Sequence, residues 1–222
     1  LLIYIAKWYS NTLKTVELQK KVKKSISAVP QNKQAIKFAL VVLVLFVFAR
    51  TWYMSSITNF YSFYVIEKYG YSISQAQIFI FLFLATGALG TFFGGPLADK
   101  FGKRNVIIVS LLGTAPLALI LPFVGPHVAI VLVTVIGFIL LSSFSVTVVY
   151  AQELVPGKIG MMSGLIVGLA FGMGAIGGVG IGAIIDAIGL TPTIIMMGFL
   201  PLFGLLAFLL PTDQKLNEWN NA

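Results

Sequence analysis

Six separate, predominantly apolar runs divide the chain, at roughly 38–65, 75–95, 105–124, 127–150, 160–185 and 191–210. Each is long enough to cross about 30 Å of bilayer hydrocarbon as an α-helix, which needs about 20 such residues. The breaks at 70–71, 99–104, 125–126, 156–158 and 191–192 carry glycine, proline or charge. Strands of a membrane barrel would alternate polar and apolar residues over about 10 positions, which none of these runs does. The predicted fold is therefore an all-α membrane protein with six transmembrane helices. Composition agrees. Hydrophobic residues make up 58% of the chain and charged ones only 10%, against about 25% charged in a soluble domain. So few polar groups cannot cover a water-facing surface, which excludes a soluble enzyme. So much apolar content equally excludes a solvated disordered chain. The 22 Gly and 9 Pro show no triplet period of the collagen kind.

The net charge of +8 could suggest nucleic acid, but its distribution points to a membrane. Eight of the 15 Lys and Arg residues (Lys7, Lys14, Lys20, Lys21, Lys23, Lys24, Lys33 and Lys37) precede the first span. Cations collect in the cytoplasmic loops of membrane proteins. Placing 7–37 in the cytoplasm puts 95–105, 151–159 and the tail from 211 there too, with Lys100, Lys103, Arg104, Lys158 and Lys215. Outside, only Lys68 remains, beside Glu67, while Arg50 lies within the first span. The expected location is a bacterial plasma (inner) membrane, with the N-terminal loop and the C-terminal tail cytoplasmic. The Lys20–24 cluster reads as a solvated, topology-setting loop or as a patch for anionic lipid, worth about 1 kcal/mol per cation. No nucleic-acid partner is required.

Residues 1–6 are apolar with basic residues after them, the reverse of a signal peptide. They read as the end of a preceding helix in a longer protein. The expected organisation is that helix end at 1–6, a basic cytoplasmic loop at 7–37, a six-helix transmembrane half-bundle at 38–210 and a cytoplasmic tail at 211–222. With 0 Cys no disulfide or thiolate metal site is possible. No His/Asp/Glu cluster has metal-ligand spacing, and there is neither a nucleophile–base signature nor a phosphate-cradling loop. No metal, cofactor, catalytic residue or ATP-driven step is expected.

Between the second and third spans runs Gly94-Gly95-Pro96-Leu97-Ala98-Asp99-Lys100-Phe101-Gly102-Lys103-Arg104. This resembles the G-x-L-A-D-[RK]-x-G-[RK]-[RK] loop of the major facilitator superfamily of secondary transporters, with Gly95, Leu97, Ala98, Asp99, Lys100, Gly102, Lys103 and Arg104 in its defining positions. Glycines permit tight turns there, and Asp99 suits a neighbouring helix N-terminus. The stretch from Val149 to Gly160, including Tyr150, Gln152, Glu153, Pro156 and Gly157, resembles the fosmidomycin-resistance efflux proteins of that superfamily. So does Ala49-Arg50-Thr51-Trp52 in the first span.

The resemblance implies the C-terminal half of a twelve-helix bundle, built as two three-helix inverted repeats. It implies proton-coupled efflux of a small anionic drug such as fosmidomycin or a related metabolite, with Asp99 and its neighbouring cations forming a gate latch. The expected partners are the lipid bilayer, a small-molecule substrate and a missing N-terminal six-helix half. The alternative is a noncatalytic half-transporter that functions only with a partner half.

Two further patterns stand out. Gly160, Gly164, Gly168 and Gly172 recur every four residues in the fifth span, followed by Gly174, Gly178 and Gly182. Residues four apart share a helix face, so Gly164, Gly168, Gly172 and Gly178 are expected to form packing grooves where another helix approaches closely. Arg50 lies deep in the first span, where a charge costs roughly 2.5–3.5 kcal/mol on insertion scales. It either pairs with a carboxylate or carbonyl, or faces a cavity and binds an anion. At 100° per residue it shares a stripe with Tyr53, Met54, Ile57, Tyr61 and Tyr64. Arg50, Tyr53, Tyr61 and Tyr64 are accordingly the expected substrate-binding residues. Asn59 is expected to point away and to bond another helix.

Overall fold

The computed structural model describes residues 33–221. The segment 1–6 and the basic loop as far as residue 32 lie outside the described residues. Eight α-helices follow one another: α1 (Lys33–Tyr69), α2 (Ile73–Phe101), α3 (Lys103–Leu112), α4 (Thr114–Ile120), α5 (Pro126–Leu154), α6 (Ile159–Ile188), α7 (Leu190–Met197) and α8 (Asp213–Asn221). Short 3₁₀ segments at Leu121–Phe123 and Leu200–Leu209 extend α4 and α7. These elements form six segments long and apolar enough to cross a membrane, the third and sixth being composite. The sixth loses α-helical pitch at Gly198, Pro201 and Gly204, where proline removes a backbone donor and glycine lowers helix propensity.

Local chemistry sets the ends of the spans. Ser72 and Gln75 form a reciprocal capping box at the start of α2, satisfying two donors that the helix leaves free. Gly102 ends the same helix at φ 89° and ψ 143°, close to a region that only glycine occupies. Gly125 and Pro126 start α5, where the missing proline N–H costs nothing. Within the spans, hydroxyls bond carbonyls of their own helix, as Thr147 Oγ1 does with the Ser143 carbonyl at 2.6 Å and Thr114 Oγ1 with that of Ser110 at 2.7 Å. A hydroxyl bonded in this way needs no water, which a bilayer interior lacks. The outer surface is covered by side chains such as Phe92, Phe123 and Val179, which suits hydrocarbon and not water.

The contacts between spans follow an internal symmetry. The first span packs on the fifth, and the fourth on the second; the first on the sixth, and the fourth on the third. The third and sixth meet each other, as do the first and fourth. Exchanging spans one to three with four to six therefore maps the contact pattern onto itself. Each unit has an odd number of crossings, so the second enters from the opposite face. The fold is two three-helix units in inverted repeat, the architecture of one half of a twelve-helix transporter.

The close seams are not where the four-residue ladder in α6 suggested. A Cβ added at Gly164, Gly168 or Gly172 would meet nothing within 4 Å, because this face of α6 is left uncovered by the described helices. None of these three therefore forms a packing groove with another described helix. Gly178 does pack, beside Asn59 and Ser55 of α1. Gly174 and Gly177, flanking it, receive Thr51 at 3.3 Å and the Trp52 indole at 3.1 Å. The tightest seam joins α2 to α5. A Cβ at Gly90 would land on the Phe138 carbonyl, at Gly94 on that of Ser142, and at Gly137 on that of Phe83. In lipid, such backbone approach supplies association by packing, since apolar burial gains little there.

Candidate functional site

Around the middle of α1, four spans leave a cavity of about 440 Å³, lined by Arg50, Thr51, Met54, Ser55, Thr58 and Asn59 of α1, Thr91 of α2, Leu141 and Phe144 of α5, and Ala170, Phe171, Gly174 and Ala175 of α6. Among the described residues Arg50 is the only charged one lining it, and it is only 2% exposed. Its guanidinium carbon stands 5.1 Å from the centroid of the Phe144 ring. Among the described residues no carboxylate or carbonyl bonds it, and Nη1 is buried with no hydrogen-bond partner. Of the two roles open to this arginine, the cavity-facing one matches the geometry. A cation–π contact is worth at most about 2 kcal/mol when desolvated and leaves the planar face of five donors without acceptors. The arrangement can grip an anion.

The tyrosines do not share that surface. Tyr53, Tyr61 and Tyr64 are almost completely buried, and none lines the cavity. The stripe exists, but it runs into the packed core, and only Arg50 and Met54 reach the cavity from it. Tyr64 donates to the Pro122 carbonyl at 2.9 Å and stacks with Tyr61, ring centroids 5.6 Å apart. Together with Tyr69, whose hydroxyl donates to the Val124 carbonyl at 2.7 Å, it ties the end of α1 to the turn before α5. Among the described residues the three tyrosines do not join Arg50 on this cavity's surface: their neighbours are helices. Tyr53 and Tyr61 keep buried hydroxyls without partners. Tyr61→Phe should therefore leave ligand binding unchanged, and thermal unfolding in detergent should show equal or slightly higher stability. An unpaired buried polar group costs about 1–3 kcal/mol, which the substitution removes.

The neighbouring face of α1, rich in Ser, Thr and Asn, is the one that opens. Asn59 lines this cavity and also a second one, lined by Ser62 and Gln77 among apolar side chains. Its amide bonds Ser55 of its own helix at 2.9 Å and not another helix. Sequence reasoning missed this face. The signal for it is the spacing Thr51, Ser55, Thr58, Asn59, Ser62, a polar stripe adjoining the aromatic one.

The loop motif sits away from the cavity, at one end of the bundle. Most of it is helical, since α2 continues through Pro96 to Phe101 and only Gly102 separates it from α3. Lys103 pairs with Glu153 at 2.9 Å, joining the loop to the end of α5. Arg104 donates to the Phe208 carbonyl at 2.5 Å, joining it to the sixth span. Gly102 lets the Asp213 carboxylate approach, an oxygen lying 2.5 Å from where a Cβ would be. Leu97 packs against the core, and Gly95 faces open space. Asp99 and Lys100 are exposed, and Lys100 lies 5.3 Å from the Phe101 ring centroid. Asp99 makes no ion pair with another described residue. The acid that closes this network inside the six helices is Glu153, not Asp99. Among the described residues no group of three or more His, Asp or Glu is arranged to hold a metal.

An inverted-repeat bundle with this loop and a polar cavity between its spans defines a class, and the sequence carries that class throughout. Residues 39–222 match the Major Facilitator Superfamily model, and the chain belongs to that family. It is 58% identical over 220 residues to the uncharacterized MFS-type transporter YfnC of Bacillus subtilis (strain 168), covering 99% of this chain and 54% of that protein. It is also 43% identical over 213 residues to the fosmidomycin resistance protein of Escherichia coli (strain K12), covering 96% of this chain and 52% of that protein. The chain thus spans about half the length of the curated relatives it matches.

Proposed function

We propose that this chain forms the C-terminal half of a secondary transporter that exports a small organic anion, fosmidomycin or a related metabolite, in exchange for protons. The observation that carries this reading is Arg50: a buried guanidinium without an acceptor, in a 440 Å³ cavity large enough for such a molecule. The name of the fosmidomycin resistance relative supplies the candidate substrate. No carboxylate of the described residues lines the cavity, so the proton-carrying acid belongs to the other half. That half would cover the open face of α6 at Gly164, Gly168 and Gly172. The end bearing Lys100, Lys103, Arg104, Lys158 and Lys215 faces the cytoplasm, as the distribution of cations favours. Asp99, exposed on that end, is free to form a latch with the other half when the transporter changes conformation.

The test uses the full-length protein in proteoliposomes with an imposed pH gradient. Labelled fosmidomycin should accumulate several-fold above protein-free vesicles, and a protonophore should abolish the excess. No accumulation under an intact gradient would overturn the substrate, whereas accumulation indifferent to the protonophore would overturn the coupling.

A further inference from the structure

The geometry points to a second recognition point in the same cavity: Asn59 accepts a hydrogen bond from an N–H or O–H group carried by the anion at a distance from its charged head. This rests on the reading of Arg50 as the anion site and narrows the substrate class. Ser55 Oγ lies 3.4 Å from the Gly174 carbonyl and 2.9 Å from Asn59 Nδ2. A backbone carbonyl only accepts, so the Ser55 hydroxyl donates to Gly174. Its lone pairs then face Asn59, which must present its NH₂ group. The amide orientation is thus set by a chain of donors starting at α6, and the Asn59 carbonyl oxygen is left without a donor among the described residues.

Asn59 lines the cavity together with Arg50 and lies nine positions further along α1, which is about 13 Å at 1.5 Å per residue. The wall also carries Met54, Leu141, Phe144 and Phe171, which suit methylene groups, and the uncharged hydroxyls of Thr51, Ser55, Thr58 and Thr91, and nothing in it suits a second charge. The cavity therefore offers charged donors at Arg50, an uncharged wall and an acceptor at Asn59. The complementary ligand has an anionic head, an alkyl spacer and a terminal donor. A zwitterion is disfavoured, since no described acid lines the cavity to receive a cation.

The experiment measures binding of ω-hydroxyalkylphosphonates, propyl to heptyl, and of their methyl ethers to the full-length protein in detergent. The methyl ether keeps the oxygen and exchanges the donor hydrogen for a methyl group, so each alcohol is compared with the ether of equal overall length as well. At the best-fitting length the hydroxyl compound should bind about tenfold more tightly, the effect of one net hydrogen bond. Asn59→Leu, at an unchanged melting temperature, should level the pair. No hydroxyl preference at any length, or a preference that persists in Asn59→Leu, overturns the inference. The two readings fail separately. Arg50→Ala binding both compounds as tightly as wild type would sink the anion site itself, whereas lost binding in Arg50→Ala with a flat preference in wild type would sink only the role of Asn59.

Discussion

Replacing Arg50 by Ala is expected to weaken phosphonate binding to the full-length protein by roughly a hundredfold, with the melting temperature held or raised. Hydrogen bonds to a charged group are worth about 1.5–3 kcal/mol each, and a guanidinium fork makes two to a phosphonate. Losing the pair costs about 3 kcal/mol, a factor of about 100 in Kd. The stability side runs the other way. Arg50 is buried with Nη1 unpartnered and only the Phe144 ring beside it. Removing the cation relieves an insertion penalty of roughly 2.5–3.5 kcal/mol and forfeits at most about 2 kcal/mol of cation–π attraction. Arg50→Lys keeps the charge but loses the planar fork, and should fall between Ala and wild type. Calorimetric binding beside thermal unfolding separates the cases. Undiminished binding in Arg50→Ala would exclude the anion site. Lost binding accompanied by a large drop in melting temperature would show instead that Arg50 is a structural ion.

The second large effect concerns the seam between α2 and α5. Gly90→Leu should prevent formation of a stable bundle, because even a methyl at this position meets the Phe138 carbonyl. Backbone cannot rotate aside as a side chain does, so the two helices must separate along their length. Overpacking a core typically costs 1–3 kcal/mol, and a clash with backbone that cannot move aside lies at or above about 3 kcal/mol. Gly168→Leu is the control. A Cβ there meets nothing within 4 Å, so the six-helix unit should tolerate the leucine. Any loss in the full-length protein should then appear as weakened association of its halves. Size-exclusion profiles and melting curves in detergent distinguish the two variants. A Gly90→Leu protein as monodisperse and stable as wild type would refute the seam.

Much of the fold was legible because it follows from chemistry local in sequence. Six apolar runs became six spans, with ends that differ by a few residues where helices extended past the apolar window, as α2 does through Pro96 to Phe101. Span number, the turns at Gly102 and Gly125–Pro126, and the depth of Arg50 all depend on what a backbone and a charge must do in hydrocarbon. The loop motif was likewise legible, and its helical continuation was not, because proline in a motif reads as a break although neighbouring helices can support a helix through it.

The site itself was only half legible. A helical period shows that Arg50, Tyr53, Ile57, Tyr61 and Tyr64 share a face, and all five are buried. It cannot tell a face buried by other helices from one that looks into a cavity. That difference depends on where α5 and α6 lie, which is set by backbone contacts at Gly90, Gly94 and Gly137 and by the Trp52 indole against Gly177, residues far apart in the chain. The same limit applies to the glycine ladder. Spacing shows that Gly164, Gly168 and Gly172 can admit a neighbour, but not that another helix occupies the place. The sequence by itself determined a membrane bundle of six spans with one deep cation, because insertion energies are summed residue by residue. The tertiary structure alone decided what surrounds that cation, because packing is a property of pairs of surfaces, and the polar stripe through Asn59 acquires its meaning only when α6 lies across it.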